Sequence, residues 1–300
     1  MLTNFKELEN YVLSQNMKKR IALANAHDEP ALSAVVNARR KGVVEGTLVG
    51  KKNEIIAMLH EMGESENDYE IVDFDGEELE AAKIAVQLVR EGKADIPMKG
   101  ILQTSNFARA ILNKETGLIP TGGRRLVSQC GIFEYEGRFV MITDAAINIA
   151  PDVETQIGIV ENALPVARAL GIDCPKVAVL SAVENVTEKM PSTVSAKEIA
   201  ERGVPGCIIS GPLALDGAIS MESVKHKAIH DPVAGQADIL LVPYIEIGNV
   251  LYKACTYIAG KTMASTICGA SCPVIITSRA DTPDSKYYSI LMAVLRCLKA

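Results

Sequence analysis

Residues 20–50 of the chain read RIALANAHDEPALSAVVNARRKGVVEGTLVG, and this stretch decides the fold class. An apolar run at 20–25 is followed by a segment at 29–41 in which Ala, Leu and Val recur at helical spacing, and a second apolar run follows at 46–49. A strand, a helix and a further strand in this order predict a parallel pair joined by a crossover helix. The stretch therefore indicates an α/β fold.

The same alternation of strands and helices extends along the rest of the chain. Further strands are predicted at 69–73, 94–98, 176–181, 206–210, 238–242 and 273–277, and a hairpin at 126–134 and 137–143. Further helices are predicted at 52–63, 77–92, 104–114, 152–170, 195–202, 211–221, 247–259 and 284–298. Because the stretch from Gly117 to Arg125 is rich in turn residues, we predict a lobe boundary there. The predicted lobes are 1–119 plus 276–300 and 120–275.

Composition excludes several classes of protein. The 300 residues carry a net charge of −6, and no basic block is longer than Lys18-Lys19-Arg20, so nucleic acid is not expected as the main partner. No apolar run reaches the length of a membrane helix, and the first twenty residues do not have the pattern of a signal peptide. The seven scattered cysteines are typical of reduced thiols in a cytoplasmic protein.

Common nucleotide and metal motifs are incomplete in this sequence. Gly260-Lys261-Thr262 has the end of a Walker loop, but Cys255 stands where the first glycine is required. No G-x-G-x-x-G follows the first strand, and no G-x-S-x-G is present. His226 and His230 have helical spacing but no third ligand at a telling distance, so a solvated face is favoured over a zinc site. No metal site is predicted.

Three loops place polar residues directly after an apolar strand, which is where ligands bind in open α/β sheets. In 143–152, Asp144 and Asp152 are candidates either for a site or for capping the next helix. In 243–249, Gly248 and Asn249 offer either backbone N–H groups for phosphate or a helix cap with a closely packed glycine.

The third loop, 277–285, has the strongest chemical pattern. Arg279 offers a planar fork for phosphate, Ser278 a short donor, and Asp281 or Asp284 a base. The alternative is a helix start capped by Asp284 or Ser285. A functional role for this loop is favoured over helix capping, because Ser278 and Arg279 lie too far along the sequence from the predicted helix to cap it.

Five motifs that occur in order make the chain similar to the phosphate acetyl/butyryltransferase family, with the best match to its butyryl-transferring members. They are Lys99-Gly100-Ile101-Leu102-Gln103-Thr104, Thr143-Asp144-Ala145-Ala146-Ile147-Asn148, Gly211-Pro212-Leu213-Ala214-Leu215-Asp216, Glu246-Ile247-Gly248-Asn249 and Thr277-Ser278-Arg279-Ala280-Asp281. The match spans nearly the whole chain, and several motifs in order are far more specific than any one of them.

The resemblance implies a two-lobed α/β/α fold akin to isocitrate and isopropylmalate dehydrogenases, with the active site in the interlobe cleft. It implies the exchange of a short-chain acyl group between coenzyme A and orthophosphate (butyryl-CoA + phosphate = butyryl phosphate + CoA), by direct transfer in a ternary complex. Acyl-CoA and phosphate would be its partners, with coenzyme A as a substrate and no tightly bound cofactor. The family also implies a homo-oligomer.

The family's catalytic Ser-Arg pair corresponds to Ser278 and Arg279, and its upstream arginine to Arg109. The spacing of the family's catalytic Asp falls near Ser285, so either Asp281 or Asp284 would have to replace it. The other residues expected to bind substrate are Lys99, Thr104, Asp144, Asn148, Glu246, Gly248 and Asn249.

Three other functions stay open from the sequence. They are a phosphate acetyltransferase, a metal-dependent hydroxyacid dehydrogenase of the same fold, and a noncatalytic subunit that binds coenzyme A. In the direct transfer that we expect, none of the seven cysteines carries the acyl group.

Overall fold

In the computed structural model, which describes residues 1–120, 122, 124–277 and 281–299, the N-terminal stretch forms a four-stranded parallel sheet in the order β3-β2-β1-β4. Its elements are α1 (Phe5–Ser14), β1 (Lys19–Ala24), α2 (Glu29–Arg40), β2 (Val44–Gly50), α3 (Lys52–Glu61), β3 (Glu70–Asp73), α4 (Glu78–Arg90), β4 (Ile96–Lys99) and α5 (Thr104–Ile111). The last four residues of β1 and one face of α2 are buried, as their apolar spacing predicts.

Residues 126–263 form strands in the order β5-β6-β9-β7-β8. The elements are β5 (Ser128–Tyr135), β6 (Arg138–Thr143), α6 (Val153–Ala169), β7 (Lys176–Leu180), α7 (Pro191–Arg202), β8 (Ile208–Leu213), α8 (Leu215–Ile219), α9 (Met221–Lys227), β9 (Ile239–Leu241) and α10 (Ile245–Lys253). The predicted hairpin is confirmed as the antiparallel pair β5–β6, while the other pairs are parallel. The α/β class is therefore confirmed, with a mixed sheet in this part of the chain.

The C-terminal stretch adds β10 (Ala264–Cys268) and α11 (Pro283–Lys299). Helix α11 is buried along most of its length and packs on α1 and α2. The chain divides into two compact units: Phe5–Arg125 with Ala264–Ala300, called the first unit, and Met1–Asn4 with Leu126–Met263, called the second unit. The lobe boundaries after residues 119 and 275 stay a prediction beside this division. None of the described helices is both long enough and apolar enough to span a membrane.

The prediction of a helix over 211–221 is wrong at its start, because β8 continues to Leu213. Gly211 lies so close to β7 that a Cβ atom there would be 2.7 Å from the Cβ of Val179. The register of the β7–β8 pair shifts at this point, so the Gly-Pro sequence marks an irregular strand rather than a helix start.

The prediction of a strand over 273–277 is also wrong, since only isolated bridges occur there, at Val274 and Ile275. The regular strand is β10, which the sequence reading missed. Its Ala, Ser and Thr residues are all buried, and the Ser265 hydroxyl donates to the Ile276 carbonyl at 3.0 Å. Small polar residues in a buried strand give no apolar alternation, which explains why it was missed.

Candidate functional site

Asp144 organises the loop that follows β6. Its Oδ1 accepts hydrogen bonds from the backbone N–H groups of Gln129, Ala146 and Ile147, and its Oδ2 accepts from the backbone and side-chain amides of Asn148, all within 3.2 Å. The residue is only 2% exposed. Burial raises the pKa of Asp144, while the hydrogen bonds from these amides act in the opposite direction. This carboxylate therefore has most of its acceptor capacity filled within its own loop.

Asn148 extends the same network, because its side-chain amide also donates to the Val127 carbonyl at 2.9 Å. Asp152, at the far end of the loop, caps α6 by accepting from the Thr155 amide at 2.8 Å. The capping alternative is thus confirmed for Asp152. The substrate-binding roles of Asp144 and Asn148 stay predictions, beside a structural role for both residues that the contacts establish.

Gly248 and Asn249 dock α10 onto this loop. A Cβ atom at position 248 would lie 2.6 Å from the Asp144 carbonyl oxygen, and the Asn249 side-chain amide donates to the Ala145 carbonyl at 3.2 Å. Because α10 begins at Ile245, the Gly248 amide donates to the Tyr244 carbonyl inside the first turn. This amide is therefore already bonded within the helix, and Gly248 packs closely as the alternative expected, while the substrate-binding roles of Gly248 and Asn249 stay predictions. Glu246 is exposed.

In the first unit, the predicted residues lie around the end of β4 and along α5. Lys99 is buried, and its ammonium donates to the carbonyls of Gly100 and Leu102 at 3.1 and 3.0 Å. Thr104 is the first residue of α5 and Arg109 lies in its last turn, and both are exposed. Their roles in binding substrate stay predictions.

A carboxylate already lies at the N-terminus of α5. Glu78 accepts hydrogen bonds from the Gln103 amide at 2.8 Å and from the Asn106 side chain at 2.9 Å. Negative charge at this end of a helix is favoured by the helix dipole. The carboxylate therefore occupies the place beside Thr104 that a bound anion would otherwise take.

Ser278 and Arg279, the predicted catalytic pair, lie outside the described residues. The segment that follows them is described from Asp281, which is half-buried, to Asp284, which is exposed in the first turn of α11. Thr282 caps this helix, because its hydroxyl accepts from the Ser285 amide at 3.1 Å. The alternative that Asp284 or Ser285 is the cap is therefore wrong, which leaves the Asp284 carboxylate without that duty.

Lys286 is a residue that the sequence reading missed. It is 2% exposed, and its ammonium donates to the Asp281 backbone carbonyl at 2.6 Å. Burial lowers the pKa of Lys286, and the Asp281 and Asp28 carboxylates oppose that change. A cavity of about 520 Å³ borders Lys286, Asp281, the start of α11 and α2 from Glu29 to Arg40. The sequence does contain one signal that Lys286 faces inward. Helical spacing over 284–298 puts residue 286 on the same helix face as Ile290 and Ala293.

His27 is a second residue that was missed. It follows β1, and its Nδ1 is buried with no hydrogen-bond partner among the residues that the structure describes. Gly50 makes room for it, since a Cβ atom at position 50 would lie 2.7 Å from this nitrogen. Within the described ranges, no three His, Cys, Asp or Glu side chains group in a way that could hold a metal ion.

The structure therefore brings some predicted residues together and leaves others apart. Asp144, Asn148, Gly248 and Asn249 form one connected cluster in the second unit. In the first unit, Asp281 is tied to Lys286, while Lys99 is tied to its own loop.

Comparison with known proteins gives consistent matches over nearly the whole chain. The family model described as "Phosphate acetyl/butaryl transferase" matches residues 77–294. The chain is 44% identical to phosphate butyryltransferase from Clostridium acetobutylicum, over 98% of both proteins. It is 37% identical to phosphate acetyltransferase from Thermotoga maritima, over 94% of this chain and 97% of that protein.

A solved structure gives the same result for the fold. The crystal structure of a branched-chain phosphotransacylase from Enterococcus faecalis V583 superimposes with a TM-score of 0.82 at 36% identity. The superposition covers 93% of this chain and 99% of that one.

Proposed function

The chain belongs to the phosphate acetyl/butaryl transferase family and is an acyltransferase, and we propose that it exchanges a butyryl group between coenzyme A and orthophosphate. The observation that carries this proposal is the 44% identity to a phosphate butyryltransferase along 98% of both chains. The enzyme would act in the cytoplasm on acyl-CoA and phosphate, without a tightly bound cofactor. The cleft between two lobes is the site that this proposal assumes.

The reaction needs one nucleophilic attack and one proton transfer. In the direction of acyl phosphate synthesis, a phosphate oxygen attacks the thioester carbonyl carbon, the carbon–sulfur bond breaks, and coenzyme A leaves as the thiolate. We assign phosphate binding to Arg279 and Ser278, with Arg109 as a further cationic contact. A guanidinium offers paired donors that match phosphate oxygens, and a donor to the developing oxyanion contributes roughly 2.7–4 kcal/mol to such a reaction.

In the reverse direction the thiol of coenzyme A must lose its proton. A free thiol with a pKa near 8.5 is mostly protonated at neutral pH, so a carboxylate base accelerates the attack. We assign this role to Asp281 in preference to Asp284, because Asp281 is half-buried whereas Asp284 is exposed. Asp281 also borders the cavity that Lys286 lines, whereas Asp284 does not.

Direct transfer requires no acyl-enzyme on cysteine. Burial raises the pKa of Cys207 and Cys297 to about 11 and that of Cys272 to about 12. Because the thiolate is the nucleophile, these three thiols are poorly suited to attack a thioester at neutral pH. Their environment supports the direct route, and trapping of labelled acyl-cysteine after denaturation would contradict it.

An acetyl group is the second candidate, because the chain is also 37% identical to a phosphate acetyltransferase. One methylene is worth about 0.8 kcal/mol of burial, and apolar pockets discriminate by roughly 10–200-fold for such a group. A measurement of rates with acyl-CoAs of different length therefore separates the two candidates.

The test is phosphate-dependent release of coenzyme A, followed with a thiol reagent, from acetyl-, propionyl-, butyryl- and branched acyl-CoA. We expect the highest kcat/KM with butyryl-CoA, at least about tenfold above acetyl-CoA. Binding of coenzyme A without release would indicate the noncatalytic subunit. Reduction of NAD at 340 nm with a hydroxyacid, and no release, would indicate the dehydrogenase.

The choice of base is tested by a matched pair of variants. Asp281→Asn is expected to slow the reaction of acyl phosphate with coenzyme A by about 10²-fold or more, as loss of a general base does. Asp284→Asn, which changes the same group three residues away, is expected to keep at least half of the activity. The reverse order of effects would assign the base to Asp284.

A further inference from the structure

Three basic side chains of the first unit border one cavity beside the end of α5. Arg90 is the last residue of α4, Lys114 lies in the loop after α5, and Arg125 ends the turn-rich stretch that begins at Gly117. The cavity has a volume of about 350 Å³ and mostly polar walls. We call it the α5 cavity.

The positive charges around the α5 cavity are not neutralised by neighbouring acids. Neither Arg90, Lys114 nor Arg125 forms an ion pair with a carboxylate among the residues that the structure describes. Glu115 contributes the one carboxylate of the described lining, so three cations and one anion leave two positive charges. A lining of this charge favours a doubly negative ligand.

The two guanidiniums are held in place by the same loop. Arg90 donates to the Glu115 carbonyl at 2.6 Å, and Arg125 donates to the Leu112 carbonyl. The loop is itself closed by the side-chain oxygen of Asn113, which accepts from the amides of Glu115 and Thr116 at 2.9 Å. Each guanidinium has five N–H donors and uses one of them here, so both keep a planar set of donors that matches phosphate oxygens.

A second cavity, of about 490 Å³, adjoins the α5 cavity and shares the lining residues Arg90, Gly117 and Ile119 with it. Its walls are more apolar than polar. The remaining apolar lining comes from Val89, Ala94, Leu118 and Pro273 and from the thiols of Cys272 and Cys297. We call it the Cys272 cavity. An anion-binding pocket thus opens beside a pocket for an apolar group.

Both cavities lie at the edge of the sheet where its strands begin. Lys19 is the first residue of β1 and Asp95 directly precedes β4, and both line the Cys272 cavity. The residues expected to bind substrate in this unit lie at the other edge, because Lys99 ends β4 and Thr104 begins the helix that follows it. About the length of a strand therefore separates a ligand in these cavities from the predicted substrate site.

We propose that the α5 cavity and the Cys272 cavity together bind an organic phosphate monoester. Its phosphate lies between Arg90, Lys114 and Arg125, and its organic part fills the Cys272 cavity. A carboxylate would leave one positive charge unmatched, and inorganic phosphate would leave the second cavity unfilled, whereas a phosphate monoester uses both. This site takes no part in the acyl transfer proposed above, so either proposal can fail without the other.

Cys272 and Cys297 serve as reporters of the site, because both thiols line the second cavity. Their labelling by iodoacetamide at pH 9 is followed by mass spectrometry of peptides, with AMP as the probe. We expect about 5 mM AMP to slow the labelling of both thiols at least about fivefold, as for a ligand at about four times its Kd or more. Cys174, which is exposed in the second unit, should be labelled at an unchanged rate.

Adenosine and inorganic phosphate are the matched probes, since each has only one half of the monoester. We expect either of them at the same concentration to slow the labelling less than about twofold. Equal protection by adenosine, equal protection by inorganic phosphate, or no protection by AMP would overturn the proposal.

Variants locate the phosphate contact. Arg90→Gln should raise the Kd for AMP at least about tenfold. Lys114 makes no hydrogen bond with a described residue, so Lys114→Gln leaves the loop intact and should raise this Kd about threefold. Lys83→Gln is the control on the same helix as Arg90, because Lys83 pairs with Glu80 and lines neither cavity.

A fourth variant separates this site from the site of acyl transfer. Arg279→Gln should keep the full protection of Cys272 and Cys297 by AMP, whatever it does to turnover. Loss of protection in Arg279→Gln, together with unchanged protection in Arg90→Gln, would assign the AMP effect to the site of acyl transfer and overturn the proposal.

Discussion

The loop after β6 and the segment before α11 carry the same kinds of polar residue in different surroundings. Both place an acidic residue and a hydroxyl close to the end of an apolar run, and both were expected to bind substrate. In the first, Asp144 is buried and accepts five hydrogen bonds from its own loop and from β5. In the second, Asp284 is exposed, Asp281 is half-buried, and Thr282 takes the cap.

The difference shows how to separate structural from chemical carboxylates. A carboxylate that has most of its acceptor positions occupied by backbone N–H groups holds a loop in place, and its removal leaves buried donors without partners. A carboxylate that borders a cavity is placed to accept a proton from a substrate. Changes in the first region should therefore be measured as stability, and changes in the second as turnover.

The largest expected effect is the loss of the Asp144 carboxylate. Asp144→Ala leaves the five amide donors of this network without their acceptor, and each unsatisfied buried donor costs about 1–3 kcal/mol, with partial relief by water and relaxation. We expect the free energy of unfolding in urea to fall by about 4 kcal/mol. Asp152→Ala, which removes an exposed helix cap, is the matched control and should cost about 1 kcal/mol.

The opposite order of these two stabilities would show that the loop is held by something other than Asp144. Gly248→Ala offers an independent check, because its Cβ atom would meet the Asp144 carbonyl oxygen at 2.6 Å. Overpacking of this kind costs about 1–3 kcal/mol.

The next effect concerns the segment before α11 and is on turnover. Arg279→Gln keeps a polar side chain but loses the charge and the paired donors, and we expect kcat/KM for phosphate-dependent release to fall about 100–1000-fold, or roughly 2.7–4 kcal/mol of transition-state stabilisation. If Arg279 acts on the ligand rather than on the fold, the melting temperature should stay within about 2 °C of the wild type. Full activity in Arg279→Gln would show that Arg279 does not bind phosphate during the reaction.

Arg202→Gln is the control for the loss of an arginine. Arg202 lies on α7, and its guanidinium pairs with Glu154 and Glu198 at the surface. The rate of phosphate-dependent coenzyme A release should not change in this variant. A similar loss of activity in both variants would point to net charge rather than to a specific role for Arg279.

Much of this fold could be predicted because apolar periodicity is local. The parallel strands β1, β2 and β4 and the β5–β6 hairpin lie where the spacing of Val, Ile and Leu places them. Strand β10 could not be predicted in this way, since Ala264, Ser265 and Thr266 are buried through their neighbours in space rather than by their own hydrophobicity. The prediction of a helix from residue 211 was wrong because close contact between two strands, as at Gly211, leaves no mark in the local sequence pattern.

The site is harder to predict than the fold for a related reason. The sequence shows that Asp144 follows a strand, but the amides that fill its acceptor positions come partly from β5, fifteen residues earlier. Lys286 was missed because helical spacing over 284–298 does not show which groups surround an inward-facing lysine. Both residues are defined by partners that lie elsewhere in the chain.

The smallest expected effect is that of replacing Lys286, which contacts the segment before α11. Lys286→Met keeps the length and apolar body of the side chain but removes its hydrogen bond to the Asp281 carbonyl. The backbone before α11 therefore loses a contact that holds Asp281 in position. We expect kcat to fall about tenfold, since small displacements of reacting groups cost up to about 10²-fold. Lys286→Arg, which keeps a donor at this position, should recover part of the rate.

The pH dependence of stability distinguishes this positioning role from simple packing. Burial lowers the pKa of Lys286, so the folded state binds this proton less tightly than the unfolded state does. Between the lowered pKa and the usual value of 10.5 the unfolded chain carries more protons, and the wild type therefore gains stability relative to Lys286→Met as the pH rises through this window. Urea unfolding of both proteins at pH 7, 8, 9 and 10 measures this difference. A stability difference that is constant across this range, together with unchanged kcat, would show that Lys286 acts as a spacer and that Asp281 is positioned without it.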